Sequence, residues 1–302
     1  MKANLLTEEE QSIMMAFETP AQLSLLMASV ADQSPTNQKI ARYIEKNYLQ
    51  IIFMTASELA DAMGVSQGSV SRFFMMLGYR GYNEFLRNLQ QVTLKRLTAP
   101  ERLHYSSPAG HHHRGSVLRP ILDSEIRNLD EMEKAMTGEE YEAMRAMILS
   151  PKRLLLLSSR MSATLLPYAS YILGKMRDDV EVILPETRAW ETLELQSPEK
   201  VNILAVAFPR YPRALIHKCA TLKKKGFRLT GLTDSRLSPL VNVVDHAVCV
   251  PVTTASLFDI YGTPLTFLNL FLRDAADGMP QLTERINQIE VIEREEQVYV
   301  TK

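Results

Sequence analysis

Apolar side chains recur every three or four positions through the first third of the chain, the spacing of helices that each bury one face. Between residues 55 and 76 this spacing occurs twice in succession. Leu59 and Met63 mark the first apolar face, and Val70 and Phe73 mark the second. The pattern predicts two short consecutive helices in an all-α N-terminal domain.

Residues with capping and turn chemistry bound these two helices. Thr55 or Ser57 is suited to cap the first helix, Gly64 supplies the turn, and Ser66 caps a second helix over residues 67–76. We therefore predict a helix-turn-helix at residues 55–76, whose second helix would enter a DNA groove. An ordinary αα-hairpin in a helical core has the same pattern, and this alternative stays open.

The outward face of the second helix is polar and includes glutamine and arginine, which read adenine and guanine bidentately. We expect Gln67, Ser69, Ser71 and Arg72 to face bases, and residues on the flanking helices and turns to contact phosphates. The candidate DNA-binding residues are Thr36, Asn37, Lys39, Thr55, Ser66, Gln67, Ser69, Ser71, Arg72, Arg80 and Tyr82.

The charge distribution agrees with contact to phosphates. The whole chain has a net charge of −1, yet residues 35–98 contain eight basic and four acidic side chains, a balance of +4. Local positive charge provides most of the sequence-independent affinity for DNA. The excess is modest, so we expect a dimer, which doubles it, to bind double-stranded operator DNA.

From about residue 120 the pattern changes to short apolar runs that alternate with helical segments, beginning with RLLLLSS at 153–159. This alternation predicts an α/β domain with a parallel sheet flanked by helices and with ligands bound beyond the carboxyl ends of the strands. A last long helix at 262–276, apolar almost all round, is followed by a charged tail. Such a helix is buried in a core or in the interface of a homo-oligomer.

The composition of residues 99–117, rich in Pro, Gly and Ser, is typical of a linker. We therefore divide the chain into a DNA-binding domain at 1–98, a linker at 99–119, and an effector-sensing and oligomerisation domain at 120–302. Three adjacent histidines, His111 to His113, lie in the linker. No further ligands flank them, so solvated linker is favoured over a metal site.

The overall composition, 46% hydrophobic and 23% charged, is that of a globular protein, and no apolar run is long enough to span a membrane. The acidic N-terminus lacks the order of a signal peptide. Cys219 and Cys249 form no CxxC motif, which favours reduced core cysteines and a cytoplasmic location.

Several stretches together resemble a known family. They are SPTNQKIARYIEKNY at 34–48, MTASELADAMGVSQGSVSRFFMMLGYRGYNEF at 54–85 and GLTDSRLSPL at 231–240. The chain is similar over residues 20–300 to the RpiR-type bacterial transcriptional regulators, which join a helix-turn-helix to a sugar isomerase (SIS) domain. The resemblance implies an N-terminal domain that binds operator DNA, a C-terminal domain that senses a metabolite, often a phosphosugar, and a dimer or tetramer.

The chain departs from that family where a phosphosugar would bind. A GxGxS loop usually follows the first strand, but residues 158–162 read SSRMS and retain only the final serine. A Ser-rich SxSGxT stretch usually follows the third strand, but residues 207–213 read AFPRYPR, in which two prolines remove N–H donors. We therefore expect a small anionic effector, either a phosphosugar or another organic anion.

Three arginines are expected to approach neighbouring strand ends, where a guanidinium binds carboxylate or phosphate bidentately. The candidate ligand-binding residues are Ser159, Arg160, Ser162, Arg210, Tyr211, Arg213 and Thr233. The alternative is that these arginines pair with acids across a subunit interface and that no ligand pocket survives.

Sugar isomerases share the SIS domain, so an enzyme remains an alternative. A general base would have to be His217 or Glu186. His217 lies within a helix beside a lysine, and Glu186 lacks an obvious partner. No Ser–His–Asp order, phosphate-binding loop, dinucleotide loop or metal-ligand spacing occurs in the chain. We expect no catalytic residues, no metal and no cofactor.

Overall fold

The computed structural model describes residues 20–31, 33–93, 100–101, 114–252 and 258–300. The chain forms two compact units, one of residues 1–124 and 253–259 and the other of residues 125–252 and 260–302. The N-terminal unit is helical, as predicted. Its helices are α1 (Pro20–Ala31), α2 (Pro35–Ile51), α3 (Ala56–Met63), α4 (Gln67–Met76) and α5 (Tyr82–Thr93).

Helix α2 is capped at its start and bends near its end. The Ser34 hydroxyl accepts a hydrogen bond from the backbone N–H of Asn37 at 3.1 Å, and Pro35 occupies the first helical position. Asn47 leaves helical geometry, with φ −124° and ψ 18°, and its side-chain amide donates to the Tyr43 carbonyl at 2.9 Å. This bond satisfies a carbonyl near the bend.

The C-terminal unit contains a five-stranded parallel sheet in the order β2-β1-β3-β4-β5. The α/β fold class predicted from the sequence is therefore confirmed. The strands are β1 (Arg153–Ser158), β2 (Val180–Ile183), β3 (Val201–Val206), β4 (Arg228–Thr233) and β5 (His246–Cys249). Helix α6 (Arg114–Met132) runs across the boundary after Ser124 into this unit. The other helices are α7 (Glu139–Leu149), α8 (Leu165–Met176), α9 (Arg188–Thr192), α10 (Arg213–Lys224), α11 (Gly262–Asp277) and α12 (Leu282–Glu295).

Both faces of the sheet are covered, which explains why its strands are apolar runs without alternation. In β1, Leu154 and Leu156 pack into the core formed with α7, α8 and α11, whereas Leu155 and Leu157 pack into the core formed with α10. All six residues of β3 are buried. The strand order changes direction between β1 and β3. In open α/β sheets, ligands bind beyond the carboxyl ends of the strands at such a point.

Two expectations from the sequence need correction. The C-terminal end of the assigned linker, residues 114–119, begins helix α6; residues 102–113, including the three histidines, lie outside the described residues. The charged tail contains helix α12. Helix α11 buries one side in the core, as expected, and Leu265 and Leu270 on its other side are more than one-third exposed.

Helix α12 was missed because its sequence is dominated by charges. Its apolar positions at Leu282, Ile286 and Ile289 are only half-buried. Arg285 anchors it by donating to the carbonyls of Gly174 and Lys175 at the end of α8, at 2.9 and 3.1 Å. The i, i+4, i+7 spacing of these three apolar positions was the sequence signal for the helix, and the polar contacts to α8 add to its packing.

None of the helices in the described part of the chain is long and apolar enough to cross a membrane.

Candidate nucleic-acid interface and ligand site

Helix α3 starts in a capping box. The Thr55 hydroxyl accepts from the N–H of Glu58 at 3.2 Å, and the Glu58 carboxylate accepts from the N–H of Thr55 at 2.7 Å. The helix ends at Gly64, whose φ of +60° and ψ of +44° lie in the left-handed region that glycine adopts freely. The predicted cap, turn and helix ends are therefore those observed.

Helix α4 presents a continuous polar row to solvent. Ser66 caps the helix by accepting from the N–H of Ser69 at 3.2 Å, and the two hydroxyls are 2.9 Å apart. The Arg72 guanidinium donates to the Ser69 hydroxyl at 3.4 Å. These three residues follow one another at i, i+3 spacing, so they share a face near the N-terminus of the helix. Gln67 is exposed beside them, and Ser71 is half-buried.

The opposite face of α4 is fixed in the core of the N-terminal unit. Val70, Phe73 and Phe74 are fully buried. The ring of Phe74 stacks on Phe85 of α5 with centroids 4.4 Å apart, and Phe73 meets Phe74 edge to face. This packing prevents α4 from rotating about its axis, so its polar row keeps one orientation relative to the unit.

The residues expected to contact phosphates divide into accessible and inaccessible side chains. Thr36, Lys39 and Arg80 are exposed. Asn37 is half-buried, and its side-chain amide donates to the Val30 carbonyl at 3.4 Å. The Thr55 hydroxyl lies within the capping box, 2.9 Å from the Glu58 carboxylate.

Tyr82 must be removed from the expected phosphate contacts. Only 3% of the residue is exposed. Its hydroxyl donates a hydrogen bond that is shared between the carbonyls of Ile51, at 3.1 Å, and Met54, at 2.9 Å. Burial, reinforced by the charge of Glu58, raises the pKa of this phenol well above its usual value. Its three-residue spacing from Phe85 was the sequence signal for a core position.

In the C-terminal unit, two serines tie the loop after β1 to the loop after β3. The Ser158 hydroxyl donates to the Val206 carbonyl at 2.7 Å, and the Ser162 hydroxyl accepts from the N–H of Phe208 at 3.1 Å. Ser162 also lies 3.2 Å from the hydroxyl of Tyr261. Ser158, Ser159 and Ser162 are all buried. The hydroxyls of Ser158 and Ser162 therefore hold the two loops together inside the protein.

The loop after β3 is fixed to the end of β4 by a tyrosine and a threonine. The Tyr211 hydroxyl donates to the Asp234 carboxylate at 2.5 Å. Burial, followed by the charge of Asp234, raises the pKa of Tyr211 far above its usual value. Thr233 is fully buried and donates to the Ala207 carbonyl at 2.7 Å. Thr233 is therefore part of the loop framework, which corrects its expected place among ligand contacts.

The accessible groups at this edge of the sheet are charged. Arg160, Arg210 and Arg213 are exposed and follow the adjacent strands β1 and β3, as expected from the sequence. Arg160 and Arg210 have left-handed backbones, with φ of +58° and +64°. Arg160, which stands where the GxGxS pattern has its second glycine, therefore adopts a backbone conformation that favours glycine.

The two candidate general bases, His217 and Glu186, are both exposed side chains without a partner that would activate them in the described residues. His217 is exposed on α10, and Glu186 is exposed just after β2. Neither side chain makes a hydrogen bond or ion pair in the described residues. The same part of the chain contains no group of three or more His, Cys, Asp or Glu residues placed to hold a metal ion.

Comparison with known proteins identifies the N-terminal domain. Residues 23–95 match the model of the helix-turn-helix domain of the rpiR family. A Providencia stuartii protein described as an HTH-type transcriptional regulator is 44% identical over 50 residues, 17% of this chain and 18% of that protein. The chain thus aligns with less than a fifth of the length of this curated relative.

Solved structures identify the fold of the C-terminal domain. The sugar isomerase domain of an RpiR transcription factor from Sphaerobacter thermophilus has a TM-score of 0.54 and 17% identity, and the match covers 58% of this chain and 98% of that one. The Vibrio vulnificus NanR protein, solved with ManNAc-6P, has a TM-score of 0.54 and 15% identity over 92% of this chain and 100% of its own. At these identities the similarity establishes the fold. Residues 23–95 therefore match an rpiR-family helix-turn-helix domain, and the C-terminal unit has the fold of the sugar isomerase domain of these structures.

Proposed function

We propose that this protein is a sequence-specific, DNA-binding transcriptional regulator. The observation that carries the proposal is the polar row of Ser66, Ser69 and Arg72 on helix α4, which is held by a buried aromatic face on its other side. In helix-turn-helix proteins the second helix lies in the major groove with its N-terminal residues at base edges. The rpiR-family match over the same residues supports this reading.

The expected partner is double-stranded operator DNA bound by a homodimer or homotetramer. Two copies of α4 would read half-sites separated by one helical turn or a multiple of it. Gln67 and Arg72 would read bases, while Thr36, Lys39 and Arg80 would contact phosphates and set the register.

We further propose that the SIS-type domain senses a small anion at the carboxyl ends of β1 and β3. Arg160, Arg210 and Arg213 provide the positive charge there, and all three are exposed. The NanR protein was solved with ManNAc-6P, which makes a phosphosugar one candidate for this site. The altered loops equally favour a different organic anion, because the two prolines after β3 lack backbone N–H donors and the three arginines offer guanidinium groups instead.

The effect of anions on DNA affinity tests the sensing proposal. Duplexes enriched from a random library by the full chain are titrated with and without glucose 6-phosphate, 6-phosphogluconate or citrate. We expect at least one anion to change the dissociation constant by about 5- to 150-fold.

The matched variants for this experiment lie at opposite ends of one strand. Arg160→Met should abolish the anion effect, whereas Arg153→Met, which removes an exposed arginine at the start of β1, should preserve it. Specific DNA binding that no anion alters would refute the sensing proposal and leave the DNA-binding proposal intact.

A further inference from the structure

Helix α4 ends in two exposed methionines. The fully buried side chains of this helix, Val70, Phe73 and Phe74, all face the core, whereas Met75 and Met76 are 52% and 42% exposed. Single exposed apolar residues are ordinary on protein surfaces. These two are neighbours, however, and they lie on the helix that the proposed function places in the DNA groove. Packing within the N-terminal unit does not account for their exposure.

Met75 and Met76 share the outward face of α4 with Arg72. They follow it at i+3 and i+4, the two spacings that place side chains next to each other on a helix. Gly68 stands four residues before Arg72, and a Cβ built at Gly68 would lie 3.9 Å from Nη1 of Arg72. The arginine side chain therefore extends back towards the start of the helix, and the methionines continue the outward face towards its end.

The two methionines differ in their contacts. The Met76 sulfur accepts from the side-chain amide of Asn37 on helix α2, with Nδ2 and Sδ 3.7 Å apart. Met75 is the more exposed of the two, and it makes no hydrogen bond of this kind in the described residues. Met75 is therefore the apolar side chain that is most accessible to a partner beside Arg72.

We infer that Met75 contacts the C5-methyl group of a thymine in the major groove and so sets a sequence preference at that base pair. Thymine presents its methyl group in the major groove, where apolar side chains recognise it. The flexible, polarizable thioether of methionine adapts readily to such a contact. The inference rests on the proposed function, because it requires α4 to lie in the groove, and it adds to Arg72 a second residue that determines specificity.

Helix geometry limits where this thymine can lie. Met75 stands about 4.5 Å further along the helix than Arg72, because each residue adds about 1.5 Å. Base pairs are about 3.4 Å apart, so the thymine should lie within about two base pairs of the position that Arg72 reads. The inference thus predicts a place in the operator as well as a base.

Deoxyuridine tests the contact, because it pairs with adenine as thymine does and lacks only the methyl group. Each thymine of the library-enriched duplex is replaced in turn, and the dissociation constant of the full chain is measured by fluorescence anisotropy. We expect one replacement in a half-site to weaken binding about fourfold, the effect of one buried methyl group. That replacement should lie within about two base pairs of the position at which Arg72→Ala relaxes the base preference.

Three variants assign the effect to one side chain. Met75→Ala should bind the thymine and deoxyuridine duplexes equally. Met75→Leu, which keeps an apolar side chain of similar size, should retain most of the difference. Met76→Ala removes the neighbouring methionine and is the matched control, which should retain the full fourfold difference. Circular dichroism of each variant checks that its helices remain folded.

The outcomes separate this inference from the proposed function. If no deoxyuridine replacement weakens binding, or if the difference persists in Met75→Ala, the thymine contact is overturned and sequence-specific binding stands. A Met75→Ala chain that keeps the thymine preference but sediments as a smaller assembly would place Met75 in a contact between subunits instead. Equal binding of the enriched duplex and a scrambled duplex by the parent chain would overturn both the contact and the proposed function.

Discussion

The proposed reading of DNA sequence depends most on Arg72. It is exposed at the third position of the polar row on α4 and is steadied by the Ser69 hydroxyl at 3.4 Å. A guanidinium held in this way can present two donors to the O6 and N7 atoms of guanine.

Arg72→Ala should weaken binding to the enriched operator by about 1–3 kcal/mol and relax the preference at one base position. Arg42→Ala, which removes an equal charge from an exposed position on α2, is the control. Anisotropy titrations against the operator and a scrambled duplex measure both effects. An equal loss on both duplexes would make Arg72 a phosphate contact.

The strain at Arg160 leads to a stability prediction. Arg160→Gly removes the Cβ that disfavours the left-handed backbone, whereas Arg160→Ala retains it. We expect the glycine variant to be about 1 kcal/mol more stable than the alanine variant, after the entropy of glycine in the unfolded chain is subtracted. Urea unfolding followed by the fluorescence of Trp190, the only tryptophan in the sequence, measures the C-terminal unit. Equal stability of the two variants would show that the position is unstrained.

At the scale of elements, the sequence predicted what local chemistry encodes. The caps at Thr55 and Ser66 and the turn at Gly64 are confirmed because each depends on a few neighbouring residues. The central strands β1 and β3 were identified because burial on both faces makes them continuous apolar runs, whereas β2 at the edge of the sheet is half-buried and contains Glu181.

What the sequence did not reveal depends on long-range contacts. Helix α12 is held by Arg285 on carbonyls of α8, and Tyr82 donates to carbonyls about 30 residues earlier in the chain. The left-handed conformations of Arg160 and Glu186 likewise depend on the loops around them, because neither residue type favours that region.

Helix α2 should depend strongly on its N-cap. Ser34→Ala removes the acceptor for the N–H of Asn37 and should destabilise the N-terminal unit by about 1 kcal/mol, whereas Ser34→Asp should preserve the cap. The loss should appear in the helical circular dichroism transition under urea and not in Trp190 fluorescence, because Trp190 lies in the C-terminal unit. Equal loss in both signals would contradict this local role.

Glu194 gives the C-terminal unit a pH-dependent contact. Its carboxylate pairs with Lys218 at 2.8 Å and with Lys225 at 2.7 Å, which joins the turn at Leu193–Leu195 to helix α10. Hydrogen bonds from Lys218 and then Lys225 lower the pKa of Glu194 from 4.5 to about 2. The pairs therefore stabilise the fold above pH 4.5, and this contribution is lost as the pH falls towards 2.

Glu194→Gln should accordingly flatten the dependence of C-terminal stability on pH between 4.5 and 2, and added salt should reduce the effect in the parent chain. Urea midpoints from Trp190 fluorescence across this range measure it. An unchanged pH profile in the variant would mean that other carboxylates control acid unfolding.

The whole molecule combines a helical unit that presents a polar recognition face with a sheet unit whose accessible edge is charged. The sequence predicted both units and the positions of Arg160 and Arg210 beyond adjacent strands. Physical coupling between an anion at that edge and DNA at α4 is the property that would make the molecule a regulator.

The most direct test of the account is a salt-controlled DNA titration of the full-length chain. Fluorescence anisotropy with the library-enriched duplex and its scrambled counterpart gives two dissociation constants at each of several salt concentrations. The account predicts that the enriched duplex binds at least about 10³-fold more tightly and that both affinities fall as salt rises. Equal dissociation constants for the two duplexes at every salt concentration would contradict it.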